Sequence, residues 1–483
     1  MNRRGFLSTL AGGSFAFAQT SRRATPKLNF VFVLIDDMGW RDVSYNGSQF
    51  YETPNIDRLA AQGMKFTNAY AACPVCSPTR ASIMTGKYPA RLGLTNFLPG
   101  RHQLPYSKLL APVSRQQLPL EEVTIAEALK PSGYVTAAMG KWHLGGPDFF
   151  PEKQGFDVNV GGTDAGSPKS HFYPQWEGRP PITAAPGAYL ADRLTDSAEE
   201  FIGKNAAKPF LLYLAHYGVH IPLEGKQDLI ARYQTRIKPG QLQNNATYAA
   251  MVQSVDESVG RLMKKLEDLK IADHTAIFFM SDNGGLSAAE YKGQYATSNS
   301  PLREGKGFLY EGGIREPMLI KWAGVVKEGS SCDVPVISTD FYPTMLEMAG
   351  IAKDIGNPQD GVSMVPLLKQ SGLPKRDALY WHYPHYSNQG GRPGAAIRQG
   401  DYKLIEYYED GRTEMFNLRD DIGEAKNLAA QMPEKAAGLK RKLDDWLKEL
   451  NPEMPAPNPA YDAARETEGL APAIRAQRKA AGY

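Results

Sequence analysis

Cysteine is scarce in this chain. Its 483 residues include only three cysteines, Cys73, Cys76 and Cys332. Three thiols allow at most one disulfide, so a disulfide-stapled scaffold is excluded and the fold must rest on a hydrophobic core. With 42% hydrophobic residues, the chain is long enough to bury such a core in one large domain and a smaller one.

An excess of charge of one sign is also missing. Lysine and arginine number 55 and aspartate and glutamate number 52, which leaves a net charge of +3. Proteins that bind nucleic acid or anionic membranes depend on a basic excess, so the sequence predicts neither partner. No apolar run is long enough to cross a bilayer, so we expect no stable membrane anchor.

The first residues are typical of an export signal. Arg3 and Arg4 precede a short, weakly apolar stretch that ends in Ala-Phe-Ala at residues 16–18. A twin arginine followed by such a stretch and an A-x-A site predicts a twin-arginine signal peptide over residues 1–18. We therefore expect the twin-arginine export machinery as a partner, and the periplasm or the extracellular space as the location.

Apolar strands alternate with amphipathic helices over most of the chain. Continuous apolar runs at residues 28–35, 134–139, 209–215 and 275–280 predict buried parallel strands. Apolar residues at helical spacing from Tyr248 to Leu266 predict a long helix that faces the core. This alternation predicts an α/β fold with a mostly parallel central sheet, in which ligands bind at the carboxyl ends of the strands.

The composition changes after the large domain, which we place at residues 27–372. Strand-like segments joined by turns follow, at residues 378–382, 395–405 and 413–418. With a predicted helix from Pro433 to about Leu450, they indicate a small C-terminal α+β subdomain with an antiparallel sheet at residues 373–450. The proline- and alanine-rich tail, residues 451–483, is predicted either to wrap the domain or to be partly disordered.

Carboxylates and an amide directly follow two of the buried strands. Asp36 and Asp37 come after the first strand, and Asp282 and Asn283 come after the last. Adjacent carboxylates repel each other unless a positive charge lies beside them. Hard oxygen ligands of this kind suit calcium or magnesium rather than zinc, so the sequence predicts a divalent cation site at this edge of the sheet.

Basic side chains follow the remaining strands. Lys141 and His143 come after the second strand, His220 follows the third, and Lys306 lies in a glycine-rich segment beyond the last. A lone lysine is usually a solvated surface group and a lone histidine is usually a structural one. We keep the structural interpretation for the other histidines, which are His102, His171, His216, His274, His382 and His385.

The stretch 73–91 is predicted to contain a short helix that presents a cysteine close to its N-terminus. Ser77 is a good N-cap, Pro78 suits the first helical position and Gly86 supplies a left-handed stop. Cys76 would then lie at a helix N-terminus, where the backbone N–H groups favour a thiolate or a bound oxyanion.

Two simpler interpretations explain only part of this stretch. Cys73 and Cys76 could form a redox pair, or Cys76 could be a small buried residue. Neither accounts for Arg80 or for the sequence Thr85-Gly86-Lys87. The pattern Cys-x-Pro-x-Arg followed by Ala-x-x-x-Thr-Gly-Lys closely resembles the signature of the type I sulfatases, members of the alkaline phosphatase superfamily.

This resemblance covers most of residues 27–450 and implies both a fold and an activity. The fold is a large α/β/α sandwich with a mixed, mostly parallel sheet. The activity is hydrolysis of sulfate monoesters to an alcohol and inorganic sulfate, in a catalytic domain at residues 27–372. In that family a maturation enzyme converts the cysteine, here Cys76, to Cα-formylglycine, whose hydrated aldehyde is the nucleophile.

The resemblance also implies roles for the polar residues. One calcium ion, with magnesium as the second choice, would be bound by Asp36, Asp37, Asp282, Asn283 and the modified Cys76. The predicted catalytic residues are Cys76, Arg80, Lys141, His143, His220 and Lys306. Among them, Arg80 would hold the formylglycine, Lys141 and Lys306 would bind the sulfate oxygens, and His220 would lie beside the leaving group. His143 would take the proton that releases the sulfate, and Lys87 would support the nucleophile.

The substrate is predicted less directly. Export and an aromatic-rich insertion at residues 147–186 favour a sulfated glycan or small molecule, such as galactose or hexosamine sulfates, with aryl sulfates as surrogates. Candidates for recognising the leaving group are His382, His385, Tyr386 and Arg392. The alternatives are a phosphoester or phosphonate hydrolase on the same site and a non-catalytic protein that binds sulfated glycans.

Overall fold

The structure, a computed structural model, describes residues 27–176, 182–351 and 359–480. The predicted signal peptide lies outside these residues. The strands are β1 (Asn29–Ile35), β2 (Met64–Phe66), β3 (Ala69–Tyr70), β4 (Leu109–Leu110), β5 (Val135–Gly140), β6 (Val158–Val160), β7 (Phe210–Ala215), β8 (Thr275–Ser281), β9 (Met318–Lys321), β10 (Ser330–Cys332), β11 (Val336–Ile337), β12 (Leu379–Tyr383), β13 (Gly394–Gln399), β14 (Tyr402–Tyr407), β15 (Thr413–Asn417) and β16 (Ala456–Pro457).

The α-helices are α1 (Pro54–Ala61), α2 (Cys76–Thr85), α3 (Pro89–Leu92), α4 (Ile125–Leu129), α5 (Leu190–Asn205), α6 (Gln227–Gln234), α7 (Ala246–Asp268), α8 (Glu311–Ile314), α9 (Phe341–Met348), α10 (Val365–Leu368), α11 (Pro433–Leu450) and α12 (Pro472–Ala480). Short 3-10 helices lie at Ser44–Asn46, Lys130–Ser132, Pro147–Phe149, Pro151–Gln154, Ala272–His274 and Ser338–Asp340.

The central sheet has eight strands in the order β10-β2-β9-β8-β1-β7-β5-β6. Strand β9 runs antiparallel to both of its neighbours, and the other pairs are parallel. The predicted α/β class with a mixed, mostly parallel sheet is therefore confirmed. The four strands predicted from apolar runs, β1, β5, β7 and β8, are neighbours in the middle of this sheet.

Both faces of the central sheet are covered by helices, as in an α/β/α sandwich. Alternate residues of β1 point to opposite faces. Val31 and Val33 pack into a core that includes residues of α1, α5 and α7. Phe30 and Phe32 pack into a second core with residues of α2, α4 and α9. Burial on both faces explains why β1 is apolar throughout rather than alternating.

A second sheet, of four antiparallel strands in the order β12-β13-β14-β15, lies in the C-terminal region with α11. Its core includes Trp381, Leu404 and Leu443, and the same cluster takes in Tyr70 and Val75 from the large unit. The predicted antiparallel sheet and its helix are therefore present, while the domain boundaries at residues 372 and 450 stay predictions.

The tail packs against the rest of the protein up to residue 480. Strand β16 pairs with β4, and Ile474 of α12 is fully buried in the larger core. Of the two predicted states for the tail, the described part adopts the wrapped one. Its own sequence lacks a core, but Ile474 and Leu470 reach one that other segments provide.

The predictions about a membrane-spanning segment and about a disulfide can be compared with the structure. Among the described residues, no helix combines the length and the apolarity that crossing a bilayer requires. All three cysteines are free thiols, so the one disulfide that the sequence allowed is not formed.

Candidate active site

The carboxyl ends of four neighbouring parallel strands form the floor of the site. Ala215, the last residue of β7, is paired with Leu34 of β1 and with Gly140 of β5. Ile35 of β1 is paired with Ser281 of β8. The residues that follow these strands therefore emerge side by side. Gly140 is required here, because its φ is +89° and a Cβ would lie 1.9 Å from the carbonyl oxygen of Ala215.

Carboxylate and amide groups converge at the centre of this edge. Asp36, Asp37, Asp282 and Asn283 are all fully buried, and Asn283 donates from Nδ2 to Asp37 Oδ1 at 2.8 Å. Two acceptor atoms of the group, Asp36 Oδ1 and Asn283 Oδ1, have no hydrogen-bond partner in the part of the chain that the structure describes. Buried acceptors without a partner are costly, and a hard divalent cation would satisfy both. The donor set thus fits the predicted metal.

Histidine adds one more potential ligand to the acidic group. Ligand atoms of Asp36, Asp37 and His220 lie within 4.8 Å of one another, which makes them a candidate acidic metal site. His220 donates from Nδ1 to the carbonyl oxygen of Ile221 at 2.7 Å, because a carbonyl can only accept. Its Nε2 therefore carries a lone pair, 3.7 Å from Asp37 Oδ2.

The two adjacent carboxylates titrate very differently. Burial raises the pKa of Asp36 to about 7, although Lys141 acts in the opposite direction. Burial also acts to raise the pKa of Asp37, but Lys306, His220 and Lys141 outweigh it and hold this pKa at about 2. A cation at Asp36 Oδ1 would favour the ionised form, so metal binding and ionisation of Asp36 reinforce each other.

Two lysines and an arginine surround the carboxylates. Lys141 Nζ lies 2.7 Å from Asp36 Oδ2, and Lys306 Nζ donates to Asp37 Oδ2 at 2.8 Å. Arg80 Nε donates to Asp282 Oδ2 at 2.9 Å, and its Nη1 donates to the carbonyl oxygen of Lys141 at 2.6 Å. Although burial acts to lower the pKa of each lysine, the neighbouring aspartates raise both, so both ammonium groups stay charged.

Cys76 lies at the N-terminus of α2, but the helix begins earlier than predicted. Val75 is the N-cap and Cys76 the first helical residue, so Ser77 is not the cap. Pro78 occupies the third helical position, which is tolerated because the first-turn N–H groups have no intrahelical acceptor. Ser77 Oγ instead accepts from the backbone N–H of Leu98 at 3.2 Å. The predicted stop at Gly86 is confirmed, with φ +71°.

His143 is oriented toward Cys76 in a defined tautomer. Its Nε2 lies 2.6 Å from the carbonyl oxygen of Leu98, so Nε2 carries the proton and donates. In the neutral ring Nδ1 then carries no proton, and its lone pair lies 3.4 Å from Cys76 Sγ. Burial and the charge of Lys141 hold the pKa of His143 well below its usual range, so the ring is neutral. It can accept a proton from a group at position 76.

Not every predicted residue joins this cluster. Lys87 lies beyond the far end of α2, and its Nζ donates to Glu122 Oε2 at 2.5 Å. The ten residues of α2 separate Lys87 from the start of the helix, and its support of the nucleophile stays a prediction. The other predicted catalytic residues do meet around Cys76 and the carboxylates, as the resemblance implied: Arg80, Lys141, His143, His220 and Lys306. Their roles stay predictions.

The four candidates for leaving-group recognition are bound mainly to other protein groups. His382 Nδ1 lies 2.7 Å from the hydroxyl of Tyr408, and His385 Nε2 lies 2.9 Å from Thr95 Oγ1. Glu409 accepts from the hydroxyl of Tyr386 at 2.8 Å and pairs with Arg392 at 3.2 Å. Of these, His385 and Tyr386 line a surface cavity of about 220 Å³.

Sequence reasoning missed two backbone groups at the site. The Leu98 carbonyl fixes the tautomer of His143, and no side-chain pattern marks it. Gly166, in the insertion after β6, lies so close to His143 that a Cβ would be 2.8 Å from its Cε1 and Nε2. The same insertion reaches His220, because His171 Nε2 lies 3.2 Å from the His220 carbonyl oxygen.

Comparison with known proteins decides the family. A model of the sulfatase family matches residues 28–351, and a model of the C-terminal region of N-sulphoglucosamine sulphohydrolase matches residues 305–453. The chain belongs to the sulfatase family. A sulfatase of Formosa agariphila is 32% identical to this sulfatase over 511 aligned positions, which cover 89% of this chain and 91% of the relative.

Two further relatives cover much of this sulfatase. Human N-acetylgalactosamine-6-sulfatase is 36% identical over 380 positions, which cover 73% of this chain and 68% of the human protein. The solved structure of Ps i-CgsB in complex with k-i-k-neocarrahexaose is 30% identical, covers 91% of this chain and 96% of that chain, and has a TM-score of 0.74. The resemblance to sulfatases of the alkaline phosphatase superfamily is thus confirmed, and the protein is a sulfuric ester hydrolase.

Proposed function

We propose that this sulfatase hydrolyses sulfate monoesters of carbohydrates through a formylglycine formed from Cys76, releasing inorganic sulfate and an alcohol. The observation that carries the proposal is the contact between position 76 and His143. A neutral imidazole points its unprotonated Nδ1 at Cys76 Sγ from 3.4 Å, with Lys141 and Lys306 close by. Nucleophile, proton acceptor and cations are the parts that sulfate transfer requires.

The unmodified thiol would be a poor nucleophile in this position. Burial raises the pKa of Cys76, although Lys141 and Lys306 act to lower it. Catalytic cysteines usually depend on a lowered pKa, because the thiolate is the reactive form. Conversion to formylglycine would supply a hydrated aldehyde, one hydroxyl of which attacks the sulfur and expels the alcohol. The second hydroxyl then loses its proton to His143, which breaks the bond to the sulfate, releases inorganic sulfate and restores the aldehyde.

The other charged residues of the site have separate proposed roles. Lys141 and Lys306 would neutralise the sulfate oxygens, and Arg80 would hold the formylglycine while it donates to Asp282 and to the Lys141 carbonyl oxygen. His220, with Nε2 free and 13% of its side chain exposed, lies on the open side, where a leaving alcohol would depart. A calcium ion at Asp36, Asp37, Asp282 and Asn283 would supply positive charge beside the sulfate.

The proposed substrate and location rest on the relatives and on the N-terminus. The name N-acetylgalactosamine-6-sulfatase specifies a sulfated amino sugar, and Ps i-CgsB is bound to an oligosaccharide, k-i-k-neocarrahexaose. We assign carbohydrate sulfates of galactose or hexosamine units to this chain as well, with aryl sulfates as surrogates. The twin arginine at Arg3 and Arg4 supports export by the twin-arginine route to the periplasm or beyond.

The test combines mass spectrometry with sulfate release. Protein from a host with a formylglycine-generating enzyme is digested, and the mass of residue 76 is measured. The same protein is assayed with 4-nitrophenyl sulfate, with calcium and after chelation. An aldehyde mass with metal-dependent sulfate release is expected. Fully converted protein that releases no sulfate, or that cleaves a phosphate or phosphonate ester instead, would overturn the proposal.

A further inference from the structure

Arg101 is a partly buried cation without a carboxylate partner in the described part of the chain. Its Nη1 donates to the carbonyl oxygen of Ser387 at 3.0 Å and to Asn388 Oδ1 at 3.1 Å, and its Nη2 donates to the carbonyl oxygen of Gly469 at 3.0 Å. Its Nε is buried and has no hydrogen-bond partner among the same described residues. These neutral oxygens position the guanidinium but leave its charge uncompensated, and an uncompensated, partly desolvated charge favours an anion beside it.

The charged groups around Arg101 do not neutralise it. Glu290 is the carboxylate whose charge acts on Arg101, but its Oε2 accepts from Gln389 Nε2 instead. Arg478, only 6% exposed, is a second cation whose charge acts on Arg101, and its Nε also lacks a partner among the described residues. Tyr383 completes the surroundings, and its hydroxyl stays neutral because burial raises its pKa well above the usual range.

Arg101 borders open space on two sides. It lines a cavity of about 220 Å³ with Asn96, His385 and Tyr386, and a second of about 290 Å³ with Asn388 and Gly469. His102 and Gln103 line both cavities as well. Each is smaller than the ~300 Å³ at which pockets for whole ligands begin, so each suits one group of a larger ligand.

This place is adjacent to the reaction site on two sides. Three residues before Arg101, the Leu98 carbonyl accepts from His143. On the other side, Gly307, next to Lys306, lies against the loop that Arg101 binds: a Cβ there would come within 2.5 Å of Ser387 Oγ. The charges of Cys76 and Arg101 both act on Tyr383. Arg101 is therefore connected to the reaction site through Leu98 on one side and through the loop at Ser387 on the other.

We propose that Arg101, with His102, forms an anion subsite that binds a second acidic group of the substrate. The group is a sulfate or a carboxylate on the sugar next to the one whose sulfate is cleaved. The inference rests on the proposed function and narrows it to oligosaccharides that carry more than one negative charge. Arginine suits this role because its planar fork binds sulfate-like and carboxylate groups through two N–H donors.

Direct binding tests the subsite without turnover. The full-length Cys76→Ala variant, in calcium buffer, is titrated calorimetrically with galactose-based tetrasaccharides that carry one sulfate on the terminal sugar. The adjoining sugar is neutral in one ligand, sulfated in the second and carboxylated in the third. We expect the second anion to lower Kd by about tenfold. The two charged ligands distinguish a sulfate-selective subsite from one that takes any anion.

Substitutions show which residues account for the tenfold gain in affinity. Arg101→Gln in the same background should abolish it, and Arg101→Lys should retain part of it. The matched control is Arg193→Gln, because Arg193 is also a half-buried arginine. Among the described residues it donates only to neutral oxygens, those of Thr183 and Ser197, and it lies outside both cavities. His102→Ala, at an exposed residue, should reduce the gain without affecting folding if Arg101→Gln proves unstable.

Equal affinity of the ligands, or a gain that survives both Arg101→Gln and His102→Ala, would overturn the subsite. Such a result leaves the proposed function intact, because hydrolysis of 4-nitrophenyl sulfate by the matured wild-type protein tests that function separately. Loss of the gain in Arg193→Gln as well would also count against it, since the effect would then be a general one of removing a positive charge.

Discussion

At the scale of single residues, a backbone carbonyl determines what His143 can do. An imidazole has two nitrogens, and the one that donates to Leu98 cannot also accept a proton. Fixing Nε2 as the donor leaves Nδ1, the atom nearest Cys76, as the acceptor. The low pKa that burial gives His143 keeps this acceptor available at neutral pH.

Replacing His143 should therefore impair chemistry more than binding. We expect His143→Ala to lower kcat for 4-nitrophenyl sulfate by about 10²- to 10⁴-fold, the usual contribution of a proton-transfer group, with little change in KM. The control is His274→Ala, because His274 is exposed and lies outside the site. A kcat within threefold of the wild-type value would show that His143 does not transfer the proton.

Another histidine, His216, couples stability to pH. It is fully buried, its Nε2 lies 2.9 Å from Ser258 Oγ, and burial lowers its pKa to about 4 from an unfolded value of 6.5. As the pH falls, the unfolded chain takes up this proton at a higher pH than the folded protein does. The contribution of His216 to the free energy of unfolding is therefore fully present above pH 6.5 and is lost as the pH falls toward 4.

The His216→Asn variant should reveal this loss. Between pH 6.5 and 4 the free energy of unfolding should fall by about 3 kcal/mol less in the variant than in the wild type. Urea unfolding at a series of pH values measures the difference, with His274→Asn as the exposed control. Parallel pH profiles for wild type and His216→Asn would contradict the assignment.

At the scale of elements, α12 shows how the tail packs against the segments around Arg101. Ile474 is fully buried in the larger core, and Gln477 Oε1 accepts from the backbone N–H of Ala289 at 3.5 Å. Arg478 lies against Gly390, where a Cβ would be 3.1 Å from Arg478 Cδ. The helix thus packs on segments near Glu290 and Gln389, both beside Arg101.

Truncating Ile474 tests whether this packing stabilises the protein. Ile474→Ala should lower the free energy of unfolding by about 2–5 kcal/mol, because it removes buried methyl groups and leaves a cavity. Chemical denaturation measures the change. The control, Leu373→Ala, should have almost no effect because Leu373 is 73% exposed. If both variants unfold at the same denaturant concentration, α12 is not part of the cooperative unit.

At the scale of the whole molecule, buried charges join the C-terminal sheet to the large unit. Lys403 of β14 lies 3.0 Å from Glu311 Oε1 of α8 and 2.9 Å from Glu424 Oε1, and these three side chains are fully buried. Glu311 also pairs with Arg315 at 2.6 Å. The C-terminal sheet is therefore attached to the large unit by ionic contacts as well as by the shared apolar core.

Breaking this network of buried ion pairs should lower the free energy of unfolding. Lys403→Met leaves two buried carboxylates with one partner fewer, and we expect a loss of about 3–5 kcal/mol in the free energy of unfolding. Lys442→Met is the control, since Lys442 pairs with Asp377 at the surface and such pairs contribute about 0–1 kcal/mol. Adding Glu311→Gln and Glu424→Gln to Lys403→Met should recover part of the loss, and no recovery would argue against unpaired charge as its cause.

The elements with strong sequence signals were predicted well and those with weak signals were not. Strand β1 is apolar throughout and α11 begins at Pro433, and both lie where the sequence predicted. The start of α2 was predicted two residues too late, because Ser77 and Pro78 resemble a cap but Ser77 binds Leu98 instead. A contact with a distant segment outweighed the local signal.

The sequence by itself determined the alternation of strands and helices, the polar groups at the strand ends and the family signature at Cys76. These features depend on residue type and short-range spacing, which the chain carries directly. Only the tertiary structure decided that Leu98 fixes the tautomer of His143, that the tail packs through Ile474, and that Arg101 has no carboxylate partner within residues 27–176, 182–351 and 359–480. Those facts depend on which distant segments meet, and burial and hydrogen bonding between such segments have no periodic signal in the sequence.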